Sequence, residues 1–215
     1  MNDFSKISFK SRINIISNNK IYEKLPRGQY ITFLLELREP CIARTDIFNT
    51  VNIRTCTGGG LKSEDNILAL GFHLWDHYKD KVFKNQVKFI KKSLEKPDGG
   101  LLIGSKRVEN APKSVTNFLK LKNELTKMTP NISWFQTIKK EYGEVDFKYS
   151  RVDDTWNLRL LDWGKDGERC KQVNSLKRLL DFFEEISISP QDRLFINGKE
   201  ITEKEAPQIF RKKQL

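Results

Sequence analysis

Three residues that together could perform nucleophilic catalysis occur at fixed intervals in the first third of the chain: Thr50, Cys56 and His73. Five residues separate the first two, and sixteen separate the last two. A thiol can act as a nucleophile when an imidazole serves as its base. His73 closes the apolar run from 67 to 73, which predicts that it lies at the end of a buried strand, where it could meet Cys56.

If Cys56 and His73 meet across neighbouring strands, the imidazole would take the proton of the thiol and leave a thiolate of lowered pKa. The thiolate could attack an amide carbon, and the imidazolium could return its proton to departing ammonia. Three consecutive glycines begin directly after Thr57, and they predict a flexible turn. We expect backbone N–H groups of Cys56 and of the turn at Thr57, Gly58 and Gly59 to hold the oxyanion. This chemistry requires neither a metal nor an organic cofactor.

Thr50 lies an even number of residues before Cys56, so a regular strand would place both side chains on one face. Its hydroxyl could then orient His73. Two structural interpretations remain open, because a threonine on a strand is commonly only a β-forming residue and a buried cysteine is commonly inert.

Two further polar residues, Asp76 and His77, follow His73 closely. If a helix begins at Leu74, the two histidines would lie one turn apart on the same face. This pair resembles half of a metal site, but no third ligand is evident, so we predict no metal.

The spacing of Thr50, Cys56 and His73 resembles that of the chemoreceptor deamidases, the CheD family, which is related in fold to bacterial toxins that deamidate glutamine. In that family a threonine lies six positions before the catalytic cysteine, and a histidine lies seventeen after it. The flanks differ from the family pattern. The family has Gly-Ser-Cys where this chain has RTC at 54–56, and Gly-x-x-His-x-x-Leu-Pro where this chain has GFHLWD at 71–76.

The resemblance implies an α/β fold, an α+β sandwich in which a mixed β-sheet is packed with helices. It also implies a protein glutamine deamidase acting on a protein substrate that carries the target glutamine. Cys56 would form the thioester, His73 would be the general acid and base, and Thr50 would orient the imidazole. The resemblance covers 28–163, which leaves an N-terminal extension at 1–27 and a C-terminal helix and hairpin at 164–215 that could dock the substrate or complete the core.

The order of the predicted elements agrees with such a sandwich. Apolar patterns predict strands at 30–37, 51–54, 67–72, 101–104 and 132–138, and helices at 83–94, 114–128 and 170–186. Ser114 is the predicted cap of the second helix. Pro97 to Gly100 predict a stop and a turn, and hairpins are expected at 144–162 and around Asn197-Gly198.

Composition limits the partners without choosing among them. The chain has 215 residues and a formal net charge of +11, which attracts nucleic acid, anionic membrane or an acidic protein. Cys41, Cys56 and Cys170 are widely spaced, which favours reduced thiols over a zinc site. No run of eighteen apolar residues and no apolar leader is present, so we expect a cytoplasmic protein or one exported without a signal peptide.

The helix predicted at 83–94 carries a basic face that includes Lys84, Lys88, Lys91 and Lys92. These lysines could contact phosphates, although such a face is more commonly solvated. The competing functions are therefore a basic module that binds nucleic acid or an acidic protein without catalysis, and a thiol protease or transglutaminase-like acyl transferase. A binding module has no need for an activated cysteine.

Overall fold

The computed structural model describes residues 11–17, 32–34, 41–63, 68–75, 80–94, 96–165 and 170–212. Within them the helices are α1 (Asp80–Ser93), α2 (Ser114–Thr126) and α3 (Leu176–Phe182). The strands are β1 (Ser11–Ile15), β2 (Thr32–Leu34), β3 (Cys41–Arg44), β4 (Ile47–Ile53), β5 (Thr57–Ser63), β6 (Ala69–Leu74), β7 (Pro97–Gly104), β8 (Ile132–Ile138), β9 (Gly143–Ser150), β10 (Thr155–Trp163), β11 (Cys170–Gln172), β12 (Phe183–Ser187), β13 (Asp192–Ile196) and β14 (Lys199–Ile201).

The strands form two mixed sheets that pack face to face. Sheet A has the order β14-β13-β1-β10-β9-β4-β2, with β11 added on β10, and sheet B has the order β12-β8-β7-β5-β6-β3. Aromatic side chains of sheet A, including Phe48, Phe147 and Trp156, are fully or almost fully buried between the sheets. The predicted fold class, an α+β sandwich with a mixed sheet packed with helices, is confirmed.

Helices α1 and α2 cover the outer face of sheet B. The period of Phe83, Val87 and Ile90 places these side chains on one face of α1, and all three are buried. They belong to a second apolar cluster, which includes Leu61 of β5 and Phe118 of α2. Sheet B is therefore buried on both faces, as expected of a sheet in the middle of three layers.

The three glycines after Thr57 lie in the middle of β5 and do not form the predicted turn. A Cβ at Gly60 would lie 2.5 Å from the Phe48 ring and 3.0 Å from the Trp156 ring. A Cβ at Gly58 would lie 2.2 Å from Ile53. These glycines are present because large side chains of sheet A occupy the space above β5, and the composition alone cannot distinguish this requirement from that of a turn.

Two other predictions are wrong for related reasons. Pro97 to Gly100 lie inside β7, where a Cβ at Gly100 would lie 2.5 Å from the Gly60 carbonyl oxygen of the adjacent strand.

The helix predicted at 170–186 is limited to α3, and strands β11 and β12 flank it. The Phe183 ring packs 5.4 Å from the Phe135 ring in the core, and β12 pairs with β8. Pairing with an open sheet edge therefore overrides the helical period of this short segment.

Both ends of the chain contribute to the sheets. Strand β1 lies between β10 and β13 in sheet A, parallel to both, and β12 forms one edge of sheet B. The hairpin of β13 and β14 turns at Asn197-Gly198 as predicted, with positive φ at both residues. Residues outside 28–163 thus contribute strands to both sheets, and the division into a core and two extensions stays a prediction.

The packing of Gly60 against Phe48 and Trp156 predicts that Gly60→Ala destabilises the protein by about 1–3 kcal/mol, because the new methyl group overpacks a filled core. Gly99→Ala in β7 is the matched control, since the heavy atom nearest to a Cβ at Gly99 would be 3.1 Å away. This control should lose less unfolding free energy. Denaturant unfolding measures both variants. An equal loss in both would contradict the steric explanation.

Candidate active site

Cys56 lies in a short arch that carries the chain from sheet A to sheet B, between the end of β4 at Ile53 and the start of β5 at Thr57. The ladder between β4 and β9 shifts register after Thr50, and Asn52 has a φ of 58°. The arch is therefore bent out of sheet A before Cys56 is reached. The Cys56 side chain is 2% exposed.

The loop that follows β7 holds the backbone of Cys56. The Ser105 N–H donates to the Cys56 carbonyl oxygen at 3.0 Å. Gly104 has a φ of 122°, and a Cβ there would lie 2.2 Å from the same oxygen. Ser105 and Thr137 also have positive φ, and their hydroxyl oxygens lie 3.2 Å apart in a buried contact. Positive φ in a β-branched residue such as Thr137 is strained, and such strain concentrates at functional sites.

Helix α2 begins against the same arch. The Ser114 hydroxyl donates to the Thr55 carbonyl oxygen and accepts from the Lys106 N–H at 2.8 Å. It does not cap its own helix as predicted, because the N-cap is Lys113, which makes no side-chain capping bond. The beginning of α2 is therefore held against the residue before Cys56.

His73 lies near the end of β6, and its side chain points between the two sheets. Thr50 Oγ1, on β4 of sheet A, lies 2.6 Å from His73 Nδ1, and it also donates to the Leu34 carbonyl oxygen at 2.7 Å. A hydroxyl has one proton to donate, so Nδ1 must carry the proton shared with Thr50. The tautomer assigned in this way leaves Nε2 unprotonated, and Nε2 is buried without a hydrogen-bond partner among the described residues.

Burial lowers the pKa of His73 to about 4, although a hydrogen bond to the Leu34 backbone acts in the opposite direction. The imidazole is therefore neutral at pH 7. Burial does not favour the resting thiolate–imidazolium pair expected from the sequence. A neutral imidazole with a free Nε2 lone pair can instead take a proton at the moment of nucleophilic attack.

The strand register relates Cys56 to His73. Gly58 of β5 is directly opposite His73 of β6, and Cys56 precedes Gly58 by two residues. A Cβ at Gly58 would point into the sandwich, towards Ile53 and Phe147. Because side chains alternate along a strand, continuing β5 backwards predicts the same face for Cys56 as for His73.

Several sequence-based expectations about the site need correction. Thr50 and Cys56 do not share a strand, so the even interval between them does not explain why Thr50 reaches His73. Gly58 and Gly59 pair with both β6 and β7, so their N–H groups belong to the ladder rather than to a flexible turn. Leu74 belongs to β6, and α1 begins at Asp80, which removes the reason for a helical pair of histidines.

Other predicted residues lie apart from the arch. Lys84, Lys88, Lys91 and Lys92 line a groove between α1 and α2. Asp76 and His77 lie outside the described residues. Within the part of the chain that the structure describes, no three histidine, cysteine or acidic side chains are grouped as a metal would require. No helix in that part is long and apolar enough to span a bilayer.

Sequence reasoning missed Leu34, Gly104, Ser105 and Ser114. Leu34 contributes its backbone carbonyl oxygen to Thr50, and Ser105 contributes its backbone N–H to Cys56. Almost any residue type could supply these backbone groups. Gly104 had one usable signal, since a glycine closing a buried strand indicates an unusual backbone conformation. Ser114 was noticed only as a helix cap.

Comparisons with known proteins identify no family for this chain. No protein-family model matches the sequence, and no curated protein matches it. Among solved structures, the chain is similar to the C-terminal domain of CNFy from Yersinia pseudotuberculosis, with 11% identity and a TM-score of 0.39. The match covers 66% of this chain and 62% of that domain. Activity therefore has to be inferred from the residues of the site themselves.

The buried, neutral His73 predicts a specific pH dependence of stability. The unfolded histidine titrates near 6.5, whereas the folded pKa is about 4. Between these values the unfolded state binds the proton and the folded state does not, so the free energy of unfolding falls as pH is lowered through this range, by on the order of 3 kcal/mol. His73→Gln should lose this component of the pH dependence, measured by denaturant unfolding from pH 7 to pH 4. His77→Gln should retain it, and a wild-type slope in His73→Gln would contradict the assignment.

The contact between Gly104 and Cys56 predicts that Gly104→Ala displaces the arch. Gly198→Ala is the control for positive φ alone, because a Cβ there meets no atom within 4 Å. We expect the control to lose about 1–2 kcal/mol of unfolding free energy. Gly104→Ala should lose more, since it adds a backbone clash to the same conformational strain. Similar losses in the two variants would show that the Cys56 carbonyl does not constrain position 104.

Proposed function

We propose that the protein is a cysteine-dependent hydrolase that deamidates glutamine side chains of a protein substrate. The observation that carries the proposal is the buried His73 imidazole, which is fixed through Nδ1 by Thr50 while its Nε2 has no hydrogen-bond partner among the described residues. Buried polar groups are nearly always hydrogen-bonded, and an unsatisfied one calls for an explanation. A base that takes a proton from the Cys56 thiol during catalysis is such an explanation.

The reaction divides into two steps, with Cys56 as the nucleophile. In the first, His73 Nε2 takes the thiol proton while the sulfur attacks the side-chain carbonyl carbon of glutamine. The tetrahedral intermediate collapses by breaking the carbon–nitrogen bond, and the imidazolium donates its proton to the leaving ammonia. In the second, Nε2 takes a proton from water, the resulting hydroxide attacks the thioester, and the thiol is regenerated with its proton. The products are glutamate and ammonia.

Thr50 has a positioning role in this mechanism. Its hydroxyl donates to the Leu34 carbonyl oxygen, so its remaining lone pairs face the imidazole. This arrangement favours the tautomer in which Nδ1 carries the proton and Nε2 is the base. It also stabilises the imidazolium when the second proton arrives, in the way that a third group orients the base of other thiol enzymes.

The burial of the site supports a side-chain amide as substrate. Cys56 and His73 are 2% and 1% exposed. A glutamine side chain is long and slender and ends in the reacting carbon, whereas a main-chain peptide bond would require a flanking cleft for the rest of the backbone. The same first step serves a thiol protease or an acyl transferase, and only the attacked amide and the acyl acceptor distinguish these reactions.

The proposal predicts that Cys56→Ser abolishes deamidation, because a serine hydroxyl is a far weaker nucleophile of nearly the same shape. Cys170→Ser should retain activity. The assay is mass spectrometry of lysate proteins, seeking a gain of about 1 Da per glutamine, with heavy-oxygen water labelling the new carboxylate. Thr50→Ser should retain more activity than Thr50→Val, which removes the acceptor of the Nδ1 proton.

Two results would contradict the proposal. Equal deamidation by wild type and Cys56→Ser would remove Cys56 as the nucleophile. Cleavage of main-chain bonds or transfer of amines to glutamine, lost in Cys56→Ser, would instead establish the protease or transferase alternative. Alkylation by iodoacetamide tests access to the thiol, since substrate must reach a side chain that is buried in this structure, and Cys170 provides the internal reference.

A further inference from the structure

The outer layer of the molecule contains a groove of about 640 Å³ between helices α1 and α2. The two helices run side by side in the same direction. Lys113 contacts Asp80 at 3.2 Å where both helices begin, and Lys91 contacts Glu124 at 2.7 Å towards their ends. The floor of the groove includes the apolar side chains of Phe83 and Val87.

The walls of this groove carry far more positive than negative charge. Its lysines are Lys84, Lys88, Lys91, Lys92, Lys120 and Lys127, and its carboxylates are Asp80 and Glu124. Both carboxylates are already paired, Asp80 with Lys113 and Glu124 with Lys91 and Lys127. Among the described residues, the other four lysines have no ion pair.

Glu124 shows how lysines of the groove hold a carboxylate group. Its carboxylate is held between Lys91 Nζ at 2.7 Å and Lys127 Nζ at 2.6 Å. These hydrogen bonds, from Lys127 first and Lys91 second, lower the pKa of Glu124 to about 2. A carboxylate from another protein would find similar lysines along the remainder of the groove, at Lys84, Lys88 and Lys120.

The groove begins beside the arch that carries the proposed nucleophile. Lys113, which contacts Asp80 at the beginning of the groove, is followed by Ser114, which donates to the carbonyl oxygen of Thr55. A segment lying along α1 would therefore leave the groove at the end of the molecule where Cys56 lies. The fourteen residues of α1 extend over about 21 Å, a length that about seven residues of extended chain would cover.

We propose that this groove binds an acidic, partly apolar segment of the substrate protein and thereby presents a neighbouring glutamine to Cys56. The substrate class is then a protein whose target glutamine is flanked by glutamate or aspartate alternating with apolar residues. This inference rests on the proposed deamidase function for the role of the segment, but binding itself does not depend on catalysis.

A peptide fits the groove better than a nucleic acid does. Single-stranded nucleic acid is bound by aromatic platforms on which bases stack, in addition to positive charge. Among the described residues, Phe83 is the aromatic side chain of the lining, and it is 4% exposed. The sequence offers four aromatic residues that could stack bases: Trp134, Phe135, Trp156 and Trp163. Phe135 and Trp156 are buried in the core between the sheets, whereas Trp134 and Trp163 are half-buried and do not line the groove.

The test uses a fluorescent peptide of about ten residues that alternates glutamate with leucine, and a matched peptide with glutamine in place of glutamate. Fluorescence anisotropy should detect tighter binding of the acidic peptide to the full chain, weakening as salt rises. The groove variant is Lys84→Ala with Lys88→Ala and Lys120→Ala. We expect about tenfold weaker binding, given up to about 1 kcal/mol for each exposed pair.

The matched control is Lys171→Ala with Lys177→Ala and Lys204→Ala, which removes the same charge from exposed lysines outside the groove. It should weaken binding less than about twofold, and an equal loss in both triple variants would reduce the effect to net charge and overturn the proposal. Tighter binding of a single-stranded or duplex oligonucleotide, lost in the groove variant, would also overturn it in favour of nucleic acid.

Catalysis and binding can fail separately in these experiments. Cys56→Ser should bind the acidic peptide as tightly as wild type does. If that peptide binds in the groove but no glutamine is deamidated, the groove proposal survives as a docking site and the proposed activity fails. If deamidation requires Cys56 but the groove variant retains wild-type kcat/KM towards a glutamine peptide with an acidic flank, the groove proposal fails alone.

Discussion

The hydrogen bond between Thr50 and His73 is the contact on which the candidate site depends, because it joins the two sheets through polar groups inside an apolar core. An imidazole transferred into such a core without partners would be costly. Thr50 and the Leu34 carbonyl oxygen satisfy one of its two nitrogen atoms and fix the plane of the ring. The other nitrogen is left without a partner among the described residues, so the same contact stabilises the histidine and, in the proposed mechanism, prepares it as a base.

That contact requires the sheets to approach closely around His73, and the neighbouring glycines make this possible. Gly58 is opposite His73, and Gly71 precedes it by two residues on the same face. A Cβ at Gly71 would lie 2.6 Å from the Phe48 ring and 2.8 Å from Leu34. Side chains of sheet A therefore fill the space that β-carbons would occupy in sheet B, and Thr50 is brought within hydrogen-bonding distance of the imidazole.

The parts of this arrangement that follow from local patterns could be predicted from the sequence. The period of Phe83, Val87 and Ile90 identified α1, and Asn197-Gly198 identified the last hairpin, because each signal depends on neighbouring residues alone. The register between sheets has no such local signal. The glycines of β5 indicated a turn, since only the partner strand reveals that Phe48 and Trp156 exclude their side chains.

Some residues of the site likewise have a signal in the sequence, and others do not. Thr50, Cys56 and His73 could be selected by their chemistry and spacing, and the structure brings Thr50 to His73 across the two sheets. Gly104 and Ser105 act through backbone conformation and backbone hydrogen bonds, which leave little trace in residue type. Ser114 begins α2 but does not cap it, and its bond to the carbonyl oxygen of Thr55 is a long-range contact that no local pattern encodes.

A second buried polar cluster shows why the unpaired nitrogen of His73 is informative. Lys62 Nζ donates to Asp154 and to Ser11, and the Ser133 hydroxyl donates to Asp192 while it accepts from a backbone N–H.

The carboxylate of Asp192 has a pKa raised to about 7, chiefly by burial, with the Ser133 hydrogen bond and the Lys62 charge acting in the opposite direction. Every member of that cluster has a partner, as expected of polar groups that only join sheets. His73 resembles this cluster in burial and in bridging the two sheets, but its Nε2 has no hydrogen-bond partner among the described residues. In the proposed mechanism this unpaired Nε2 is the base, whereas the polar groups of the second cluster only join the sheets.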